Sequence, residues 1–156
     1  MQSGIEMKLV IGLNRVIQAL NRKQNDFVSK YGLTLPQFGV LEALYFKGPM
    51  CVNDIIEKTL STSGNMTVVI ENLRKDEFVK KEKDIFDRRK FVISLTYKGK
   101  MLIEEIFDKH AENTVEFFDD MKKNEKQELL ALLLKLRNSL IFFETISLTS
   151  NFKIQN

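Results

Sequence analysis

The side chains best suited by type and spacing to do chemistry are three consecutive cations, Arg88, Arg89 and Lys90, preceded by one carboxylate, Asp87. They fall in residues 84–90, a polar stretch between two β-prone runs, Phe78-Val79-Lys80-Lys81 and Phe91-Val92-Ile93-Ser94-Leu95. That pattern predicts a hairpin with its cations at the tip. A long cation on a projecting loop reaches a narrow DNA minor groove, whose negative potential attracts it. Asp87 suits no phosphate, and is expected instead to hold an Arg fork in one orientation by hydrogen bonding.

A second group lies upstream. Ser61, Thr62 and Ser63 supply hydroxyls in front of a helical pattern in which Met66, Val69, Ile70 and Leu73 share one stripe. Gly64, Val68, Glu71, Asn72 and Lys75 then face outward, with Asn65 at the border. A helix with a small, polar, outward start can approach base edges and phosphates closely. An ordinary surface helix with a Ser/Thr cap shares these features, so the nearby hairpin is what gives them direction.

Other chemistry is sparse. There is one histidine, His110, and one cysteine, Cys51, far apart in sequence, with no P-loop and no Gly-x-Gly-x-x-Gly after a strand. No catalytic residue, enzyme activity or cofactor is expected. Glu104, Asp108 and Glu112 recur at i, i+4, i+8 near His110, a spacing compatible with metal but read as a solvated acidic face, so no metal site is assigned. Cys51 is read as a small buried residue, oxidation sensing at Cys51 being the alternative.

The elements that must position these groups are mostly helical. With 156 residues, 44% hydrophobic content and 12 Phe, the chain suffices for one domain, 1–156, with a proper core. The net charge of +3 is small, but residues 74–100 hold ten Lys/Arg against five Asp/Glu, and residues 101–128 four against nine. Positive charge is therefore concentrated around the hairpin. The first residues, MQSGIEMKLVIGLNR, lack a secretory pattern, and the greasiest segment, 129–148, is broken by Lys135, Arg137 and Glu144. No membrane association is expected, and a single cysteine suits a reducing cytoplasm.

Along the chain, a helix is predicted over residues 5–30 with Gly32 as its stop. Thr34 caps a second, with Pro36 in its first turn, ended by Gly48-Pro49. Asn53 is expected to cap a short third helix around Ile55 and Ile56, and the Met66 helix is the fourth. After a two-stranded wing, Thr96 caps a helix from about Tyr97 to Met121. A last helix runs from Asn124 to about Ile146, ahead of a loose tail. Leu129, Leu130, Leu132, Leu133, Leu134, Leu136 and Leu140 cover more than one face of that last helix, which predicts burial by a second copy through the two chain ends. The fold class is thus mainly α with a small two-stranded wing: a winged helix-turn-helix plus a helical dimerisation region.

These residues resemble the multiple-antibiotic-resistance regulator (MarR) family over nearly the whole chain. Asp87-Arg88-Arg89 is similar to its D-x-R wing signature, and Leu95-Thr96-Tyr97-Lys98-Gly99 to the L-T-x-x-G start of its fifth helix. Ser63-Gly64-Asn65-Met66-Thr67 resembles its recognition helix, and residues 35–41 its second helix. The resemblance implies a homodimeric regulator, read as a repressor, that binds a palindromic double-stranded DNA operator. A lobe over 34–96 would read DNA, and 1–33 with 97–148 would dimerise. A dimeric protein-interaction module of the same fold is the rival reading.

By that resemblance Arg89 enters the minor groove with Asp87 as its positioning partner. Ser63, Asn65, Thr67 and Val68 face the major groove, and Arg88 and Lys90 touch phosphates. Ser61, Thr62 and Asn72 complete the expected DNA-binding set. The family usually has an acidic residue after the helix-ending Leu and a Gly before the wing; here those are Arg74 and Glu77. A non-Gly residue at positive φ costs about 1 kcal/mol, so a different turn is expected there. Many members release DNA when a small phenolic molecule binds or a cysteine is oxidised, but the usual sensor position near the start of the first helix holds no cysteine here. Asn14, Arg15, Gln18, Phe38, Leu41, Tyr45, Phe107 and His110 are candidates to line an effector pocket. Residues 106–110 resemble a subgroup that answers quinones or phenols.

Overall fold

The structure is a computed structural model that describes residues 4–59, 63–85 and 87–151, apart from the side chains of 63, 64 and 142–151. Its elements run α1 (Ile5–Val28), α2 (Leu35–Lys47), β1 (Met50–Cys51), α3 (Val52–Thr59), α4 (Ser63–Lys75), β2 (Val79–Lys83), β3 (Phe91–Leu95), α5 (Tyr97–Glu116) and α6 (Lys123–Asn151). The chain is mainly helical around one small antiparallel sheet, the winged-helix arrangement. It groups into two compact units, Met1–Asn113 and Thr114–Asn156.

In the first unit the helix boundaries follow local chemistry. A short 3-10 turn, Ser29–Tyr31, closes α1, and Gly32 takes the left-handed conformation (φ 73) that costs a glycine little. Thr34 then caps α2 in a full capping box: its hydroxyl accepts from Gln37 N, and Gln37 Oε1 accepts from Thr34 N at 2.8 Å. The core gathers Val28, Leu41 and Val40 with Ile55 of α3, Met66 and Leu73 of α4, Ile93 of β3, and Ile103 and Ile106 of α5, all fully buried. Helices α3 and α4 and strand β3 thus share one hydrophobic cluster with α2 and α5.

The sheet has three strands rather than the expected two, in the order β1-β3-β2. Met50 pairs with Ile93 and Cys51 with Val92, so the residues after the Gly48-Pro49 break complete a ladder. This also corrects the third helix, which begins at Val52, so that Asn53 lies inside its first turn and does not cap it. A two-residue strand carries no periodicity, which is why the sequence gives no sign of it.

The second unit holds the end of α5, a turn over residues 117–120, and α6. The predicted α5 continues to Met121, but the helix stops at Glu116, where the N–H groups of Phe117, Phe118 and Asp119 turn to carbonyls three residues back. Glu125 reaches back to accept from Lys122 N at 2.7 Å and so starts α6. That helix extends through Asn151, beyond the expected Ile146. Among the described residues no helix is long and apolar enough to cross a membrane.

Candidate nucleic-acid interface

Helix α4 is oriented by its apolar stripe. Met66, Val69, Ile70 and Leu73 are buried, as their spacing predicts, and Asn65, Thr67, Val68, Asn72 and Lys75 are exposed. Val68 is 58% exposed, a branched apolar side chain on an otherwise polar face. Glu71 is half-buried and bound by Arg74, whose Nη2 lies 2.6 Å from Glu71 Oε1. The hydrogen bonds from that guanidinium hold the Glu71 carboxyl below its usual range. Ser61 and Thr62 lie outside the described residues, as does the Ser63 side chain; the Ser63 backbone opens the helix.

The exit from α4 fixes where the wing begins, and it overturns one expectation. Glu77 does take a left-handed conformation, with φ 61. Its N–H bonds the Arg74 carbonyl at 3.1 Å and that of Phe78 bonds the Leu73 carbonyl at 2.9 Å, the paired pattern of a Schellman cap. A glutamate sits where the cap favours glycine because neighbours hold the turn. Thr96 Oγ1 donates to the Glu77 carbonyl, and Lys98 Nζ donates to the Asp76 carbonyl at 2.8 Å.

The L-T-x-x-G run therefore has a mechanical meaning. Thr96 Oγ1 accepts from Gly99 N at 3.0 Å and so caps α5, while its own N–H bonds the Phe78 carbonyl at 3.0 Å. Gly99 is buried against that same carbonyl, in a space where a Cβ would collide with it.

The wing itself is a tied loop. Asp84 N donates to the Lys90 carbonyl at 3.0 Å and Lys90 N to the Asp87 carbonyl at 2.9 Å. Asp84 Oδ1 accepts from Asp87 N at 2.8 Å, and Asp87 Oδ1 accepts from Arg89 N at 3.1 Å. Asp87 thus holds the Arg89 backbone, and among the described residues it forms no ion pair with the guanidinium fork expected of it; short Asx side chains bond backbone two residues on. Arg88, Arg89 and Lys90 are all exposed. Among the described residues none of the three belongs to an ion pair. On strand β2, Lys81 lies 4.6 Å from the Phe91 ring centre, a cation over an aromatic face. Ile85, in the same loop, is 89% exposed; the adjacent apolar pair Ile85-Phe86 between polar residues carries no periodic signal.

A cavity of about 610 Å³ opens between α1, α2, α3 and α5, lined by Gln24, Phe38, Glu42, Phe46, Lys58 and His110 among others. Of the eight pocket candidates only Phe38 and His110 line it. Leu41 is wholly buried, and Tyr45 donates to Glu104 at 3.4 Å. Phe107 packs edge-on against Phe46 at 5.0 Å, and Asn14, Arg15 and Gln18 are exposed on α1. The missed residues of α2, positions 35, 39, 42, 43 and 46, form with 38 one stripe at helical spacing, a signal present in the sequence. His110 sits between Phe27 and Phe38, with ring centres at 5.5 and 4.8 Å. Burial pushes its imidazole below the ordinary value of 6.5, against the opposing charge of Glu42.

Cys51 is half-buried and lines a smaller cavity, of about 380 Å³, together with Arg89 and Lys90. Among the described residues no cluster of His, Cys, Asp or Glu has the geometry to hold a metal ion. Asp108 and Glu112 are exposed on α5, and Glu104 lies 3.8 Å from Lys100.

Residues 16–106 match the family described as transcriptional regulator SarA/Rot. The HTH-type transcriptional regulator MhqR of Bacillus subtilis is 32% identical over 127 residues, covering 81% of this chain and 88% of that one. Two solved structures superpose with a TM-score of 0.77. One is BpsR of Bordetella bronchiseptica, whose DNA binding is regulated by 6-hydroxynicotinic acid, at 27% identity over 83% of this chain and 98% of its own. The other is a MarR-like transcription regulator from Bacillus cereus, at 26% over 88% and 99%. These relatives are regulators rather than enzymes.

Proposed function

The chain belongs to the SarA/Rot family of transcriptional regulators and shares the fold of MarR-like regulators, and from that premise we propose that it is a homodimeric, cytoplasmic repressor that reads a palindromic double-stranded operator. The observation that carries this reading is the wing: three exposed cations on a loop whose backbone is tied by four hydrogen bonds, in the same compact unit as the exposed polar face of α4. A loop already fixed loses little entropy on docking. Arg89 enters the minor groove, Arg88 and Lys90 take phosphates, and Asp87 keeps the loop in shape. Asn65, Thr67, Val68 and Asn72 face the major groove, and Ser61, Thr62 and Ser63 complete the DNA-binding set.

Dimerisation falls to residues 1–33 and 97–148. Leu9 and Ile17 of α1 in the first unit, and Leu130 and Leu140 of α6 in the second, are each more than half exposed (58, 52, 59 and 58%), so each unit offers apolar surface to a second copy. The cavity beside His110 takes a small aromatic effector. Aromatic side chains line it, Lys58 stands at the end of α3 just ahead of the DNA-reading helix, and an aromatic acid controls the related BpsR.

Gel-shift titration of genomic fragments at several salt concentrations tests the core reading. A preferred palindromic site is expected, with half-sites about one helical turn apart and a steep log–log salt slope that Arg89→Ala lowers by about one unit. Flat salt dependence without site preference would refute it. Adding phenol, hydroquinone or 6-hydroxynicotinic acid to the same complexes tests the effector, with release by at least one of them expected.

A further inference from the structure

We propose that Ile85 is an apolar wedge that the wing inserts at a minor-groove base step, so that the protein selects its operator partly by how easily DNA deforms beneath the wing. The inference rests on the DNA-binding reading above. Among the described residues Ile85 is the most exposed of the large hydrophobic side chains, at 89%. Its loop cannot readily fold back to hide it. Asp84 on one side is bonded across to Lys90 and accepts from Asp87, and Asp87 in turn holds the Arg89 N–H.

The surroundings identify the occupant. An exposed branched aliphatic group by itself would serve a protein partner equally well. Here the same short loop carries Arg88, Arg89 and Lys90, exposed and outside the ion pairs of the described residues. Of the two acids in the loop, Asp84 and Asp87 both accept from backbone N–H groups, so their charges are partly spent on the loop itself. Among the described residues the loop therefore presents positive charge around an exposed apolar side chain, which is the complement of a phosphate-walled groove with apolar sugar and base edges at its floor.

An isoleucine has no donor or acceptor, so it cannot read a base by hydrogen bonding. What it can do is press into a step and partly unstack it. That distortion is cheapest at flexible pyrimidine–purine steps such as TA and CA/TG, and dearest in stiff A-tracts. Specificity at positions under the wing thus comes from deformability, while Arg89 supplies charge.

The test uses the full-length protein and an operator duplex selected from random DNA by the wild type. Affinity is measured at several salt concentrations, with bending by circular permutation, for wild type, Ile85→Ser, Ile85→Leu and Arg89→Ala. Ile85→Ser is expected to lose about tenfold in affinity, to bend DNA less, and to keep the wild-type salt slope, because no phosphate contact is removed. Ile85→Leu restores most of the loss. Replacing the flexible step under the wing by a stiff one weakens the wild type more than Ile85→Ser. Wild-type affinity and bend in Ile85→Ser, with a reduced salt slope in Arg89→Ala, would overturn the wedge and leave the DNA-binding reading standing. A loss in Ile85→Ser that is equal at all steps, or one seen only with another protein present, also overturns it. If the wild type itself selects no site, both readings fail together.

Discussion

Thr96 Oγ1 donates to the Glu77 carbonyl at 2.6 Å and lies 3.2 Å from the Phe78 carbonyl, which shares the same proton, joining the exit of α4 to the start of α5. The two residues are 19 positions apart, and the whole wing lies between them. The hairpin therefore leaves and re-enters the body of the fold at one clamped point. Gly99, packed on the Phe78 carbonyl, closes the clamp from the α5 side.

Gly99→Ala is expected to open that clamp. The colliding atom is backbone, which cannot swing aside as a flexible side chain can. The cost should be about 2 kcal/mol, the middle of the range for overpacking. In a chain of this length that lowers the thermal midpoint by about 4–8 °C. An unchanged midpoint by circular dichroism melting would contradict the packing described.

Glu77→Gly should act in the opposite direction. It removes the cost of a side chain at φ 61, about 1 kcal/mol, and sacrifices only a 3.8 Å contact with Lys98 between exposed groups, which contributes little. The midpoint is expected to rise by about 2–4 °C. Glu77→Val, branched at Cβ, should lower it.

Two substitutions at Asp87 separate its charge from its hydrogen bond. Asp87→Asn keeps an oxygen for the Arg89 N–H while removing a negative charge from the loop. DNA affinity should stay level or rise. Asp87→Ala frees the loop and should weaken binding several-fold, through the loss of about 1 kcal/mol of local order. Equal losses in both variants would instead favour a carboxylate acting on the arginine side chain.

The burial of His110 makes stability depend on acid. Its imidazole is held below 6.5, so the folded protein resists protonation that the unfolded chain accepts. As pH falls through 6.5 the unfolded state takes up the proton first, and stability drops until the folded value is also passed. Above 6.5 both states are neutral there and the group contributes no slope. Denaturant melts of wild type and His110→Phe should therefore diverge only on the acid side, the variant losing less. Parallel curves would contradict the burial effect.

Much of this was legible before any coordinates. Met66, Val69, Ile70 and Leu73 announce the orientation of α4 because one stripe must be buried and the other cannot be. Thr34, Gly32 and Thr96 mark helix ends because their side chains, or the lack of one, answer local backbone needs. What the sequence concealed were relations across distance. The carbonyls of Glu77 and Asp76 at that turn are held by Thr96 and Lys98, 19 and 22 residues further along. The role of Asp87 depended on which Arg89 donor came within reach. Strand β1 exists because β3 has an open edge, and of the α2 candidates Phe38 lies on the cavity stripe while the same helix turns Leu41 and Tyr45 elsewhere.

Strand β1 runs directly into α3 without an intervening loop, and it is laced to β3, the strand that carries the chain back from the wing tip. A pull on the wing is therefore a pull on the first residue of the helix-turn-helix. On the proposed reading, in which the wing and α4 take the two grooves, the ladder between β1 and β3 makes them a single lever.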